Sequence, residues 1–580
     1  MRNRNAIVGI AVLILAVALW RFVQPAPSYH LRLTQITFDP GLTGWPAISA
    51  DGRTVAYASD RDTNSNLELY VQPIRGGSPA RLTTSIENNS EPSFSPDGAT
   101  LAFSATGGIF TVPVTGGDPR LIAASGHRPR YSPDGRSIAF SDSAGAAIVG
   151  SNGGAPRRFH PEFSSVRAPA WSPDGSSLVF WARDDLWVAP LDGGTPQSAG
   201  IGPRLAKARI GNGPFEDGLW TSDGFVFSAR TGFVRNLYRC PLRRDGQTTG
   251  DIVRLTNGTE LMGDVSVSRD GRLVFSSGRQ RFDLWGMPLD ASGKVKGGPY
   301  RITDTLSPTA NPDISADGRR LIFGSSRNGF TEVWEKDLVS GREWVAATGP
   351  EGASYGRLLK SSGSVLYARP TNVHEDVYIG NRILAVGTRP WDADSKETTV
   401  LVSGAGIDAL DVSTKQRVPL LNAPERTKLS EASFSPDDRW VLFVAETRET
   451  SRIYVAPARR GAAPAASQDR PAPAAIQEKS WLPITSEAVK AGKPRFSPDG
   501  RAIYFTVDRE GAREIDAIRF DPQTGSVSGS TFPVFRAAGA RLTLLEVNPL
   551  ALEIAVARDK LVTILCEQTS TIWMGDLVLQ

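Results

Sequence analysis

One phrase recurs along most of the 580-residue chain: an aromatic residue, then Ser-Pro-Asp-Gly, a polar pair, and a short apolar run ending in Phe or Tyr. Its clear copies run from Phe94-Ser95-Pro96-Asp97-Gly98 to Phe103, from Tyr131-Ser132-Pro133-Asp134-Gly135 to Phe140, from Trp171-Ser172-Pro173-Asp174-Gly175 to Phe180, and from Phe496-Ser497-Pro498-Asp499-Gly500 to Phe505. Variants keep the frame at Ser49-Ala50-Asp51-Gly52, Ser222-Asp223-Gly224, Ser268-Arg269-Asp270-Gly271, Ser315-Ala316-Asp317-Gly318 and Phe434-Ser435-Pro436-Asp437-Asp438. The aspartates at 51, 97, 134, 174, 223, 270 and 317 lie 46, 37, 40, 49, 47 and 47 residues apart. Self-similarity at such a period confines the chain to a repeat architecture.

The phrase is a turn between two strands. Proline presets φ for the second position of a type I turn, aspartate tolerates the next, and glycine supplies the left-handed residue that begins the return strand. The apolar runs that follow, such as Leu101-Ala102-Phe103 and Ile138-Ala139-Phe140, read as buried second strands. Third strands follow at Leu67-Glu68-Leu69-Tyr70-Val71, Asp185-Leu186-Trp187 and Asp283-Leu284-Trp285, and fourth strands are announced by Arg81-Leu82-Thr83 and Arg254-Leu255-Thr256. The period then equals one four-stranded propeller blade. The 57 glycines and 41 prolines, well above the usual ~12% for the pair, belong to these turns.

Seven clear units up to Asp317 and five later or weaker ones, including Ser361-Ser362-Gly363, Asp392 to Ser403 and Val547-Asn548-Pro549, exceed one ordinary ring. Leu31-Arg32-Leu33-Thr34 and Tyr300-Arg301-Ile302-Thr303 are fourth strands with no blade before them. Pairing Leu31 with the blade ending at Leu289, and Tyr300 with the blade ending at Leu577, closes two rings without an open edge. The expected fold class is all-β: two tandem propellers of about six four-stranded blades, at 31–290 and 300–580, joined by a linker at 291–299. An Ala/Pro-rich insertion occupies 456–477. A seven-plus-five split and strand exchange between rings remain open alternatives.

Residues 1–5 are a short basic start, and Ala6 to Val23 is an apolar run of eighteen residues, about 27 Å as a helix. It reads as one transmembrane helix, with 24–30 as a linker, a cytoplasmic N-terminus, and propellers exported to the periplasmic side of the inner membrane. A cleaved signal peptide is the competing reading.

The repeats closely resemble the WD-like units of the six-bladed TolB-type propeller over about 31–580, and residues 34–83 look like one whole unit. One span followed by such repeats also resembles the exported half of bacterial membrane-bound regulators that carry a winged-helix DNA-binding domain or a Ser/Thr kinase. Only five residues precede the apolar run, so neither is carried over. The repeat implies fold and leaves activity open.

Candidate chemistry is sparse. Gly352-Ala353-Ser354-Tyr355-Gly356 matches a nucleophile elbow and looks like that of propeller-bearing prolyl peptidases, but it lies in the repeat frame with His374 too near to complete a triad. Asp60-Arg61-Asp62-Thr63-Asn64-Ser65-Asn66 offers alternating oxygens but lacks the calcium-loop glycine and glutamate. Cys240, Cys566 and four histidines form no zinc cluster, and no metal or cofactor is expected. The 65 basic and 61 acidic residues are interspersed, which excludes a nucleic-acid footprint. Arginines recur at the hairpins between second and third strands: Arg61, Arg183, Arg230, Arg279, Arg281, Arg327, Arg448 and Arg509. Such hairpins open on one rim, where a basic crown suits the carboxylates of a protein or polymer partner, while salt bridges within each turn explain the same pattern. The expected function is a membrane-anchored, non-enzymatic scaffold or sensor. The alternatives are a propeller enzyme with its site in one channel and a structural component of a TolB-like envelope complex.

Overall fold

The recurring phrase closes the first hairpin of most sheets through one hydrogen-bond pattern. Ser95 Oγ donates to Asp97 Oδ1 at 2.5 Å, while Asp97 accepts the Ala99 N–H at 3.0 Å and Ser95 Oγ accepts the Thr100 N–H at 3.0 Å. The same serine-to-aspartate bond recurs at Ser49, Ser132, Ser172, Ser315 and Ser497. Gly98 sits at φ 74°, where a side chain is strained. The proline also packs on the neighbouring turn. A Cβ on Gly135 would meet Pro96 at 3.3 Å, and one on Gly500 would meet Pro436 at 3.4 Å. Each of these prolines therefore covers the glycine of the next turn.

The Arg-Leu-Thr phrase is a clasp. Buried Glu68, opening the third strand, accepts hydrogen bonds from Arg81 Nη2 at 2.9 Å, Thr83 Oγ1 at 2.5 Å, the Ser85 N–H at 2.6 Å and Asn89 Nδ2 at 3.0 Å. Asp283 does the same for Arg301 at 2.5 Å and Thr303 at 3.1 Å. The aromatic residue ending the apolar run is buried, and in several sheets it stacks on its cross-strand partner, as in Tyr57–Tyr70 at 6.0 Å and Phe103–Phe110 at 5.8 Å between centroids.

In this computed structural model the described residues are 29–579 except 63–65, 86, 164–165, 212–216, 233, 306, 308, 372, 459–474, 487–489, 510–511, 538 and 545–552. They form two compact units. Unit 1 takes the described residues up to Arg279, Gly539–Arg541 and those from Gln568 onward, and unit 2 takes those of Gln280–Ala538 and Leu542–Glu567.

Unit 1 contains four-stranded antiparallel sheets over 43–81, 89–123, 127–159 and 167–198. A fifth set of four strands covers 218–254, and the last set combines Leu261–Val267, the first half of Leu273–Pro288, the last half of Lys560–Leu579, and Tyr29–Gln35. The first strands, Thr43–Ile48, Asn89–Phe94, His127–Tyr131, Arg167–Trp171, Gly218–Thr221 and Leu261–Val267, touch in that order, and the last touches the first. Unit 2 repeats the plan over 309–347, 354–385, 390–421, 428–483 and 490–535. Its remaining set is Ala555–Val556, the first half of Lys560–Leu579, the last half of Leu273–Pro288, and Tyr300–Arg301. Its first strands also touch in a closed cycle.

The closing pairings reverse those expected from the sequence. Leu31 lies opposite Leu577, and Tyr300 opposite Gly286. The physical reason is continuity: Leu273–Pro288 and Lys560–Leu579 run as unbroken strands of 16 and 20 residues, so each begins in one unit and ends in the other. Segment 291–299 consequently falls inside unit 2. Arg279 and Arg281, expected on a hairpin, are mid-strand residues, because a single glycine at 278 does not bend an otherwise extended segment.

The expected single-pass inner-membrane placement is corrected. No helix among the described residues is long and apolar enough to cross a membrane. The α-helix Ile201–Lys207 has seven residues, about 10 Å. Residues 6–23, most of the 456–477 insertion, Thr63–Ser65 and Val547-Asn548-Pro549 lie outside the described residues.

The turn aspartates give a pH prediction. The serine hydroxyl and a backbone N–H hold Asp51, Asp97, Asp134 and Asp317 below the usual carboxylate range, and Asp174 at about 2. Their stabilisation is complete above the unfolded value near 3.9 and is lost as pH falls through the lower folded values. Urea midpoints should therefore drop between about pH 4 and pH 2. Asn at 97, 134 and 174 together should flatten that slope, and an unchanged slope would refute the assignment.

Candidate functional site

Most inner strands carry a bulge near the end that faces the second-to-third hairpin. Register slips between Gly44 and Ala47, Ser90 and Ser93, His127 and Arg130, and Gly263 and Ser266. Inside these slips Trp45, Glu91, Arg128 and Asp264 hold φ values of 50°, 58°, 56° and 53°. A left-handed residue costs about 1–3 kcal/mol, and here it turns one side chain per strand out of the ladder. Proline follows at 46, 92 and 129, where a missing N–H suits an unpaired position.

In unit 1 these residues converge. Trp45, Pro46, Glu91, Pro92, Arg128, Arg130 and Asp264 line a cleft with room for about one water molecule, far smaller than an ordinary small-molecule site. Glu91 accepts the Arg128 N–H and the Ser104 hydroxyl, each at 2.7 Å, and lies 3.5 Å from Arg128 Nε. Asp217 accepts the Ser228 hydroxyl and, at 2.9 Å, the Val265 N–H. Burial first, then the nearby Asp217 charge, pushes the Asp264 carboxyl above its ordinary value.

In unit 2 the corresponding strands build an ionic cluster. Asp313, Arg357, Asp392, Ser433 and Arg495 take equivalent ladder positions opposite Ile322, Leu366, Leu401, Leu442 and Tyr504. Arg357 and Arg495 both donate to Glu553 Oε2, Arg495 at 2.5 Å. Asp313 accepts the Leu358 N–H at 2.8 Å and Asp392 the Phe434 N–H at 3.0 Å. Burial alone would raise Glu553, but Arg357, Arg495 and Lys493 outweigh it and hold the carboxyl below its usual range. Asp313 is pushed up, by burial above all.

The arginines expected as a rim crown are mostly engaged locally. Arg61 pairs with Asp39 at 3.0 Å, Arg279 with Glu260 at 2.9 Å, Arg281 with Asp304 at 2.5 Å and Arg327 with Glu343 at 2.5 Å. Arg509 holds Glu514 at 2.7 Å and Asp516 at 2.5 Å, and Arg183 stacks 4.3 Å from the Phe163 ring. Arg230 and Arg448 are exposed. Ser354 lies in strand Ser354–Leu358 opposite Ala368, a sheet position rather than an elbow. Asp60 accepts the Leu42 N–H at 2.9 Å, and Asp62 the Tyr70 hydroxyl at 2.8 Å. Cys240 and Cys566 are buried free thiols.

The sequence reading missed the inner-strand residues. Their signal is a constant offset: Trp45, Glu91, Arg128, Asp264, Asn311, Glu431 and Lys493 each stand six residues before the aspartate position of their turn.

Residues 30–186 match the family described as the TolB beta propeller domain. No curated protein matches the chain. Among solved structures, a candidate TolB from Agrobacterium tumefaciens is 14% identical over 43% of this chain and 88% of its own, with a TM-score of 0.34. The tricorn protease is 14% identical over 89% of this chain, with a TM-score of 0.31, and the chain spans 54% of its length. A protein described as the calcium-binding regucalcin, also from Agrobacterium tumefaciens, is 15% identical over 43% of this chain and 88% of its own, with a TM-score of 0.33. Residues 30–186 thus carry a TolB-like β-propeller domain, and its serine–aspartate turn recurs beyond the matched segment at Ser315 and Ser497.

Proposed function

We propose that the chain is a non-enzymatic scaffold of two six-bladed propellers that binds a protein partner through the second-to-third hairpins. The observation carrying this reading is an asymmetry shared by most of the sheets. One end repeats the same turn, its serine, aspartate and glycine consumed in holding the hairpin. The other end differs from sheet to sheet, through Arg183-Asp184, the exposed Phe330 and the exposed Val373. Variation set on an invariant frame is how scaffolds carry specificity. The rim arginines contribute oriented charge: Arg327 lies 4.2 Å from the Trp334 ring and Arg61 lies 5.5 Å from Tyr70, which fixes each guanidinium.

A photocrosslinking residue placed at Phe330 or Val373 should yield discrete adducts in native extract, and one at Arg136 or Ser176, beside the repeated turns, should yield none. Adducts confined to the turn positions, or equal at both ends, would refute the reading.

A further inference from the structure

Three apolar side chains stand out along one stretch of the unit 2 rim. Phe330 lies in the hairpin between strands Arg320–Ser325 and Glu332–Asp337, Val373 in the hairpin between Val365–Pro370 and Glu375–Ile379, and Val386 just after the fourth strand Arg382–Ala385. They are 59%, 88% and 61% exposed. Local contacts join the three positions. The Ala353 N–H donates to the carbonyl of Thr331, beside Phe330, at 2.6 Å. A Cβ on Gly349, in the same connection, would meet Arg369 Cδ at 3.1 Å, where the chain enters the Val373 hairpin. The Thr388 N–H, two residues after Val386, donates to the Glu375 carbonyl at 2.9 Å, where the chain leaves that hairpin. Exposed apolar side chains grouped in this way mark an interaction surface.

The polar groups around them are already matched. Arg327 pairs with Glu343 at 2.5 Å, Arg389 with Glu375 at 2.8 Å, and His374 Nε2 lies 3.2 Å from Asp376. Glu332 accepts the Thr348 hydroxyl at 2.9 Å and Asn328 Nδ2 at 2.8 Å. With these charges answered inside the unit, the surface that complements the patch is uncharged. The hairpin backbone is engaged as well. The Gly329 N–H donates to the Ser326 carbonyl at 3.0 Å, the Thr371 N–H to the His374 carbonyl at 2.7 Å, and the His374 N–H to Thr371 Oγ1 at 3.0 Å. A partner strand needs free backbone groups to pair with, whereas these donors are turned onto their own loops. An α-helix satisfies its own backbone and brings only side chains.

We infer that Phe330, Val373 and Val386 form a docking surface for an amphipathic helix of a partner protein, whose uncharged apolar stripe at i, i+3 or i+4 and i+7 rests on them. The inference rests on the scaffold reading above for the rim it uses, and it adds the chemistry of the partner.

Fluorescence anisotropy on the full chain tests it with three labelled peptides of about eighteen residues and no net charge. One is built from leucine, alanine, glutamine and serine with its leucines in a helical stripe, the second has the same composition with the leucines scattered, and the third alternates valine and threonine as a strand does. The striped peptide should bind at least about tenfold more tightly than either of the others. Phe330→Ser and Val386→Ser should each weaken it by about fivefold or more, whereas Val339→Ser, exposed in the hairpin between strands Glu332–Asp337 and Glu343–Ala347, should leave it unchanged. Raising the salt from about 50 mM to about 500 mM should change the affinity by less than about twofold. Equal binding of the striped and scattered peptides, tighter binding of the alternating one, indifference to Phe330→Ser and Val386→Ser, a loss of about tenfold or more with salt, or no binding of the striped peptide would overturn the inference. Comparisons among the peptides on the unmodified protein decide this without the variants. Should the striped peptide fail while photocrosslinkers at Phe330 or Val373 still give adducts, the helix assignment falls and the scaffold stands; striped-peptide binding without adducts in extract keeps the helix surface and removes the scaffold reading.

Discussion

Arg357→Met should destabilise unit 2 by about 3–5 kcal/mol, the cost of leaving a buried charge without its partner. The Arg357 and Glu553 side chains are only 8% and 6% exposed, and Asp313 and Asp392 add further negative charge beside the guanidinium. Burial would lower the Arg357 pKa, but Glu553, Asp313 and Asp392 together raise it, so the folded state depends on the positive charge. Without it, Arg495 and Lys493 remain as the cations facing Glu553, and burial drives that carboxyl upward. A raised folded carboxyl binds extra protons, so the variant, unlike the native chain, should gain stability on mild acidification. The paired change Arg357→Met with Glu553→Gln should recover more than half of the loss, since a matched neutral pair avoids the orphaned charge. Urea denaturation followed by hydrogen exchange at 309–368 measures the effect. A single-variant cost below about 0.5 kcal/mol, the scale of an ordinary surface substitution, would show that the cluster is not a structural element of unit 2.

The parts of the fold visible in the sequence are those fixed by short-range chemistry. Ser95, Asp97 and Gly98 are within three residues of one another, and each is required by one turn, so the phrase survives from sheet to sheet. Glu68 and Thr83 lie 15 residues apart, yet the Arg-Leu-Thr phrase marks the fourth strand because its threonine must reach the acid that opens the third. Ring closure is illegible for the opposite reason. The segments at Leu31 and Tyr300 carry similar Arg-Leu-Thr and Arg-Ile-Thr phrases, so local pattern cannot say which long strand each one meets. Continuity of Leu273–Pro288 decides it, and the clue is the extended run Arg279-Gln280-Arg281, whose arginines imitate those of the true hairpins.

The inner-strand residues are hidden differently. Their position is constant, but the side chain placed there is aromatic at Trp45, acidic at Glu91 and basic at Arg128. A bulge constrains where a side chain points and leaves its chemistry free, so no motif emerges from residue identity. The rim arginines show the reverse failure. Their recurrence is legible, but six of the eight have an ion pair or an aromatic face nearby that accounts for them.

Ending the chain at Thr569 should abolish cooperative folding of unit 1 and leave unit 2 nearly unaffected. The deletion removes the strand segment paired with Tyr29–Gln35, from Gln35 opposite Trp573 to Tyr29 opposite Leu579. It also removes Ile572, fully buried against Val55, Tyr57 and Tyr70, and its backbone bonds with Ile36 and Thr37. Loss of one buried isoleucine costs about 2–5 kcal/mol, and loss of a whole interior strand consumes most of the ~5–15 kcal/mol that holds a domain. Unit 2 keeps its share of Lys560–Leu579, where Leu561 and Val562 pair with Val556 and Ala555. Hydrogen exchange should therefore show protection lost over 43–59 and retained over 309–325. The alternative closure, with Tyr300 completing the set that ends at Leu577, requires the opposite pattern. Retained protection at 43–59 with loss at 300–325 would reject the crossed closure and restore two consecutive rings.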